Sequence, residues 1–355
     1  MRDDQSKQRY FLNYEELYLI MENTKNKMNN SLESLRHRPH VVIFGAGASV
    51  AAIPNGDKLG RKISVMDGFI STLGMDNVLA GLNIKSNNLE DIFSELFAHT
   101  EYDAIRQQLE DSIRTYFTQY CLPDEPTIYD LLLLSLKEKD AVATFNWDPL
   151  LTEAYIRCRT ITTKLPRILY LHGNVSVQLC MKDQIYFMNN HIMCPKCNNR
   201  LIPCKLLYPI RKKNYNENPF IKSQWEELNY YLSQAYIVTI FGYSAPSTDI
   251  EAVELLHSAW GDRESRKFEK IEIIDIKSEE VLRRKWDNFI FSHHYRTHSS
   301  FYDSLIAQSP RNSTEDLFAC LMEAKWLDFP NKLSPEMTWN QIQSHFESIL
   351  ANENN

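Results

Sequence analysis

The sequence predicts an α/β fold, doubly wound around a mostly parallel sheet, and three observations carry that prediction. Short β-branched or aromatic runs recur along the chain: VVIF at 41–44, DAVATFN at 140–146, RILYLHG at 167–173, AYIVTIFGYS at 235–244 and KIEIIDI at 270–276. Helical patterns such as PLLTEAYIRCRT, SQWEELNYYLSQ and DIEAVELLHSAW lie between several of them, and strands alternating with helices imply parallel pairing with both faces covered. The composition, 43% hydrophobic and 24% charged over 355 residues, is that of a globular chain with a sizeable core.

Taken in order, residues 10–36 carry apolar positions at helical spacing (Tyr14, Leu17, Tyr18, Met21), and Pro39 breaks this pattern before the buried run at 41–44. A glycine-rich segment, 45–60, follows. From there to about residue 120 the periodicity is helical, and its second half, about 87–120, is read as a helical insertion. Residues 176–215 break the alternation with Asn, Lys, Cys and Pro and read as a small inserted module. The stretch from about 300 is helical, so the expected organisation is one main domain over 1–300 and a helical extension over 301–355. No internal repeat or low-complexity linker interrupts the chain.

Several classes are excluded or set aside. A formal charge of −7, from 46 acidic and 39 basic residues, argues against a chain that coats nucleic acid, so no sequence-specific nucleic-acid binding is expected. The basic runs at 211–213 and 283–285 read as solvated faces, with an anionic partner as the alternative for either. The start has no secretory h-region, and no stretch approaches the ~20 apolar residues of a membrane span. The seven cysteines read as thiols with a metal among them rather than a disulfide framework, and a reducing cytoplasm is the expected compartment.

Glycine is scarce, 10 in the chain, yet Gly45, Gly47, Gly56 and Gly60 crowd behind the first strand. Gly-x-Gly after a strand lets backbone approach a pyrophosphate held at the next helix N-terminus; a plain tight turn is the alternative. Val50 stands where the third glycine of a dinucleotide fingerprint would be.

FGAGASVAAIP at 44–54 resembles the GAGxS...xIP signature of the Sir2 family, the sirtuins and Sir2-like NAD-consuming proteins. The resemblance recurs in order: TFNWD at 144–148 is similar to the family's TQNID, LHG at 171–173 to its HG, and GYS at 242–244 to its GTS, while Asp275 lies where its adenosine-ribose acid is expected. It spans residues 41 to 276 and implies a Rossmann-like sheet that binds NAD.

The resemblance also assigns roles. Asn146 would hold the nicotinamide ribose or an attacking water, Asp148 would orient the leaving carboxamide, and His172 would be the general base, suited by an imidazole pKa near neutrality. A core histidine, for His172, and a helix N-cap, for Asp148, are the structural alternatives. Gly45, Ala46, Gly47, Ser49, Pro54, Gly242 and Ser244 would line the phosphates and ribose, and Asp275 would either bind the adenosine ribose or cap a helix.

Two departures shape the functional expectation. Sirtuins that deacylate continue IPDFR, whereas this chain reads IPNGDKLG, so the aromatic and arginine of that reaction are missing; Asp57 is displaced by two positions and is kept as a loop candidate. The zinc module is reduced to the Cys194–Cys197 knuckle with Cys180. Either Cys204 or His191 would complete a structural zinc set, and a module without metal is the alternative. His293, His294 and His298 are read as a solvated or partner-facing segment rather than a metal site.

The expected activity is therefore NAD+ glycohydrolysis, giving nicotinamide and ADP-ribose through an oxocarbenium-like state. The alternatives are an NAD-dependent protein deacylase and a non-catalytic NAD or ADP-ribose sensor. The resemblance to bacterial anti-phage effectors that deplete NAD implies a homo-oligomer, partnered by a protein such as a HerA-like ATPase or an Argonaute. It also implies gating by the helical insertion or the C-terminal helices.

Overall fold

Val41, Val42, Ile43 and Phe44 are wholly shielded from solvent, as a continuous apolar run must be. In the computed structural model, which describes residues 32–64, 68–80, 82, 89–188, 192–209, 215, 217–243, 250–261, 266, 268–290 and 294–353, they form β1 (His40–Phe44). In chain order there follow α1 (Ala46–Ala52), α2 (Leu89–Ala98), α3 (Asp103–Thr118), α4 (Ile128–Leu134), β2 (Ala141–Thr144), α5 (Leu150–Cys158) and β3 (Arg167–Tyr170). The small module supplies β4 (Val177–Cys180), β5 (Ile185–Met188) and β6 (Ile202–Pro203). The chain then continues through α6 (Pro219–Gln234), β7 (Ile237–Phe241), α7 (Ile250–Trp260), β8 (Lys270–Ile274), α8 (Glu279–Ile290), β9 (His294–His298), α9 (Ser313–Met322) and α10 (Trp339–Glu353).

Six strands form one parallel sheet in the order β3-β2-β1-β7-β8-β9. This is a doubly wound arrangement whose winding reverses between β1 and β7, and in such sheets a crevice opens outside the carboxyl ends of the strands at that reversal. The register keeps those ends level: Phe44 pairs with both Thr144 and Phe241, Thr144 with Tyr170, and Phe241 with Ile274. Gly45, Phe145, Leu171, Gly242 and Asp275 therefore leave the sheet side by side.

Local chemistry explains the flanking helices. Asn218 caps α6, its side chain accepting from Phe220 N at 3.0 Å and Ile221 N at 3.1 Å, with Pro219 at the first helical position. The α3 helix buries Leu109, Ile113, Tyr116 and Phe117, a stripe at helical spacing. Among the described residues no helix is long and apolar enough to cross a membrane.

Three segments gain detail. Residues 294–298 are the edge strand β9, parallel to β8, so the spacing of His294 and His298 is that of a strand. The module at 176–215 contains a three-stranded antiparallel sheet, β5-β4-β6. Beyond residue 300 the helices are separated by a helix-free stretch, 324–338. The helical pattern assigned to 10–36 lies outside the described residues except for a 3-10 turn at Leu32–His37, and 211–213 lie outside them too. Arg283, Arg284 and Lys285 are exposed on α8.

Candidate active site

At the reversal point two backbone loops interlock. Gly45 N donates to Phe241 O at 3.0 Å and Gly47 N to Gly242 O at 2.9 Å. A Cβ on Gly45 would lie 2.5 Å from Tyr243 Cα, and one on Gly242, whose φ is +60°, would lie 2.3 Å from Ala48 N. Close passage of these two loops therefore demands glycine on both sides. Gly45 is buried, whereas Ala46 and Gly47 face solvent at the rim, where α1 begins.

Directly beneath lies a cluster of polar side chains drawn from three segments. Asn146, just past β2, donates through Nδ2 to Gly45 O at 2.9 Å and to Ser49 Oγ at 2.9 Å, with Tyr129 OH at 3.5 Å. Ser49, on α1, donates to Asp148 Oδ2 at 2.7 Å, and Tyr129 OH stands 2.8 Å from Ser49 Oγ. With the Ser49 proton committed to the carboxylate, the Tyr129 phenol donates to Ser49, whose two lone pairs are then filled by Tyr129 and Asn146.

Burial raises the pKa values in this cluster. Asp148 is 4% exposed; burial pushes its carboxyl up, opposed by the Ser49 hydroxyl and the Leu150 N–H, which reaches Oδ1 at 3.1 Å. The latter bond ties Asp148 to the start of α5. Tyr129 is pushed well above its ordinary value by burial and by the Asp148 charge, so it stays a proton donor. Its ring stacks on Phe44 at 5.0 Å.

His172 follows β3 and is 6% exposed. Its ring sits between Phe145, edge-on at 4.8 Å, and Tyr215, stacked at 6.0 Å, and Nε2 lies 3.4 Å from Tyr215 OH. Asn174 joins this loop to the previous one by donating to Asn146 O at 3.2 Å and Asp148 O at 2.7 Å. The segments carrying Asn146, Asp148 and His172 thus form one fastened unit. Neither Tyr129 nor Asn174 stands out in the sequence. Tyr129 offers the phenol of the IYDLLLL run, otherwise apolar but for Asp130, and Asn174 follows a His-Gly pair.

The remaining expected residues are more dispersed. Asp275 lies at the end of β8, level with Gly242, and its Oδ1 accepts from Lys277 N at 2.9 Å, ordering its own turn. Pro54 is exposed past the end of α1. Ser244 lies outside the described residues. Asp57 is committed to its loop: it accepts from Leu59 N and Arg61 N and forms a forked ion pair with Arg61. Burial acts to raise its pKa, but Arg61 holds it below the ordinary carboxylate value.

In the module, Cys180, Cys194 and Cys197 come together with Asp183, all four ligand atoms lying within 4.8 Å of one another. Cys180 Sγ is 3.5 Å from Cys197 Sγ, and Asp183 Oδ2 is 3.4 Å from Cys180 Sγ and 3.2 Å from Cys194 Sγ. Tetrahedral zinc, with bonds of about 2.3 Å to sulfur and 2.0–2.2 Å to oxygen, places its ligand atoms roughly 3.5–3.8 Å apart, so this donor set fits. Cys204 is not among them. It is wholly buried in the main core, its Sγ 3.2 Å from Lys205 O. The turn after β4 brings the Asp183 carboxylate to the fourth corner instead; His191 lies outside the described residues.

No protein-family model matches the chain, and no curated protein matches it. Solved structures similar to it include Sir2 bound to an acetylated peptide, 16% identical over 86% of this chain and 98% of that one, with a TM-score of 0.38. Others are Sir2 with a peptide and NAD+, 16% identical over 86% and 98% at 0.37, and a Sir2 homologue in an ADP-ribose complex, 14% identical over 82% and 96% at 0.38.

Proposed function

We propose that the chain is a Sir2-like NAD+ glycohydrolase. The observation that carries the proposal is the convergence of Ser49, Asn146 and Asp148 behind the carboxyl ends of β1 and β2, beside the crevice where dinucleotides bind in doubly wound sheets. The motif resemblance supplies the substrate; the geometry supplies donors and acceptors suited to it.

In this reading the pyrophosphate lies against the Gly45–Gly47 backbone. The bond from the nicotinamide nitrogen to the ribose C1 breaks, its electron pair leaves with neutral nicotinamide, and positive charge develops on the ribose. The buried Asp148 and the Asn146 amide orient the departing group and the incoming water. Water oxygen bonds to C1, and its proton passes to His172, whose packing between Phe145 and Tyr215 fixes the ring plane. The engagement of Asp57 with Arg61, and the missing IPDFR residues, favour water over an acyl-lysine acceptor. Turnover in 18O-labelled water tests the step: hydrolysis places the label on the ADP-ribose C1 hydroxyl, and a product without label contradicts it.

We also propose that Cys180, Asp183, Cys194 and Cys197 hold a structural zinc. With all four positions filled by protein, the ion would brace the module and take no part in bond breaking. Its motifs resemble those of the NAD-depleting effectors of bacterial anti-phage defence, and on that resemblance we propose the same role and self-association in solution.

A further inference from the structure

The helix that brings Tyr129 to the cluster is secured from outside the sheet, at both ends, and both fastenings lead to α10. At the amino end of α4, Asp130 Oδ2 accepts from Thr127 N and Thr127 Oγ1, each at 2.7 Å. The same buried carboxylate is gripped by the Arg157 guanidinium, whose Nη1 also donates to Pro123 O at 2.8 Å. The Trp339 ring, at the first residue of α10, covers that guanidinium with Cζ 4.9 Å from its centroid, and its indole N–H donates to Asp124 O at 2.7 Å.

At the carboxyl end of α4, Arg311 donates from Nη1 to Leu134 O at 3.2 Å and Leu136 O at 2.9 Å. It is itself held by a two-point ion pair with Glu353 at the far end of α10, at 2.7 and 3.0 Å. Ile342, Phe346 and Ile349 bury the face between these two ends. One C-terminal helix thus sets the position of a seven-residue helix, and Tyr129, next to Asp130, projects from that helix to Ser49 and Asn146.

We propose that Arg157 and Trp339 are positioning residues for the Tyr129 hydroxyl, with α10 as the strap that holds α4 in register with the catalytic cluster. The kinetic part of this inference rests on the glycohydrolase reading. Loosening the Trp339 contact tilts the amino end of α4, lengthens the Tyr129–Ser49 bond and so disorders the Ser49 and Asn146 donors without touching the NAD pocket.

The test uses the full chain with Trp339→Ala, Trp339→Phe and Tyr129→Phe. Loss of a cation–π contact corresponds to about a two- to fivefold fall in kcat for Trp339→Ala, with KM for NAD unchanged, and Trp339→Phe restores most of it. In the Tyr129→Phe background Trp339→Ala should cause no further loss, because the hydroxyl it positions is gone. Independent losses that multiply would overturn the proposal. A second readout needs no turnover: 3-fluorotyrosine at position 129 should change its 19F resonance on Trp339→Ala and regain it on Trp339→Phe. An unmoved resonance overturns the inference even if NAD is hydrolysed, and a moved resonance sustains it even if NAD is not.

Discussion

The Ser49 hydroxyl donates to the Asp148 carboxylate at 2.7 Å across 99 residues of sequence, joining the helix after β1 to the loop after β2. Because the bond is buried, it does two things at once. It supplies the Asp148 carboxylate with a proton donor away from water, and it turns the serine lone pairs toward Asn146 and Tyr129. The polar centre is therefore a chain, Tyr129 to Ser49 to Asp148, with Asn146 attached at its middle.

Ser49→Ala should break that chain at its centre. A buried carboxylate left short of a donor costs about 1–3 kcal/mol of stability, measurable by urea unfolding. NAD hydrolysis should fall by about tenfold or more, since Asp148 and Asn146 lose their shared partner. Unchanged turnover would show that this serine plays no part in orienting the two.

Tyr129→Phe removes the outer link alone. The ring keeps its stacking on Phe44, so stability should change by about 1 kcal/mol or less, while kcat falls about tenfold. A variant as active as the parent would remove Tyr129 from the site.

Much of this site is legible in sequence because it is local. Gly45, Asn146, His172 and Asp275 each follow a short buried run, and parallel strands deliver their carboxyl ends to one edge. What is not legible arrives by tertiary packing. Tyr129 reaches the site only because α4 is pinned beside α1, and Asn174 acts on backbone oxygens of the neighbouring loop after β2. The sequence offers Cys204 or His191 as a fourth ligand, yet the turn between β4 and β5, with Gln184 at φ +51°, returns Asp183 to the cluster. In HYRTH, the spacing of His294 and His298 suits one face of a helix or of a strand, and pairing with β8 decides between them.

The metal set separates cleanly by substitution. Purified protein should carry about one zinc per chain by atomic emission. Cys204→Ser should retain it, Cys180→Ser and Cys194→Ser should lose it, and Asp183→Ala should weaken it. Loss on Cys204→Ser with retention on Asp183→Ala would reverse the assignment. Chelation from the parent should lower the melting temperature.

Acid should destabilise the fold through His40. It is wholly buried on β1, with Nδ1 2.8 Å from Ser313 Oγ and Nε2 2.7 Å from Thr239 Oγ1. Burial pushes its pKa down to about 3, with Glu272 opposing and Lys139 and Lys270 reinforcing. Between its ordinary value of 6.5 and about 3, the unfolded chain binds a proton that the folded chain refuses. The contribution is complete above the unfolded pKa and declines as pH falls, by up to about 1.4 kcal/mol per unit. Urea unfolding at pH 6.0, 5.25 and 4.5 should show His40→Gln with a shallower dependence by about that amount; equal slopes would mean that folded His40 is charged.

The proposed reaction is hydrolysis of NAD with water as acceptor and His172 as base, with no need of an acylated peptide. The direct measurement is quantitation of nicotinamide and of the ribosyl product by mass spectrometry, with and without an acetylated peptide, for the parent and for His172→Ala and Asn146→Ala. Equal amounts of nicotinamide and ADP-ribose are expected without peptide, falling by about a hundredfold or more in either variant. Nicotinamide released only with peptide, together with acetylated ADP-ribose, would contradict it, as would turnover that survives both substitutions.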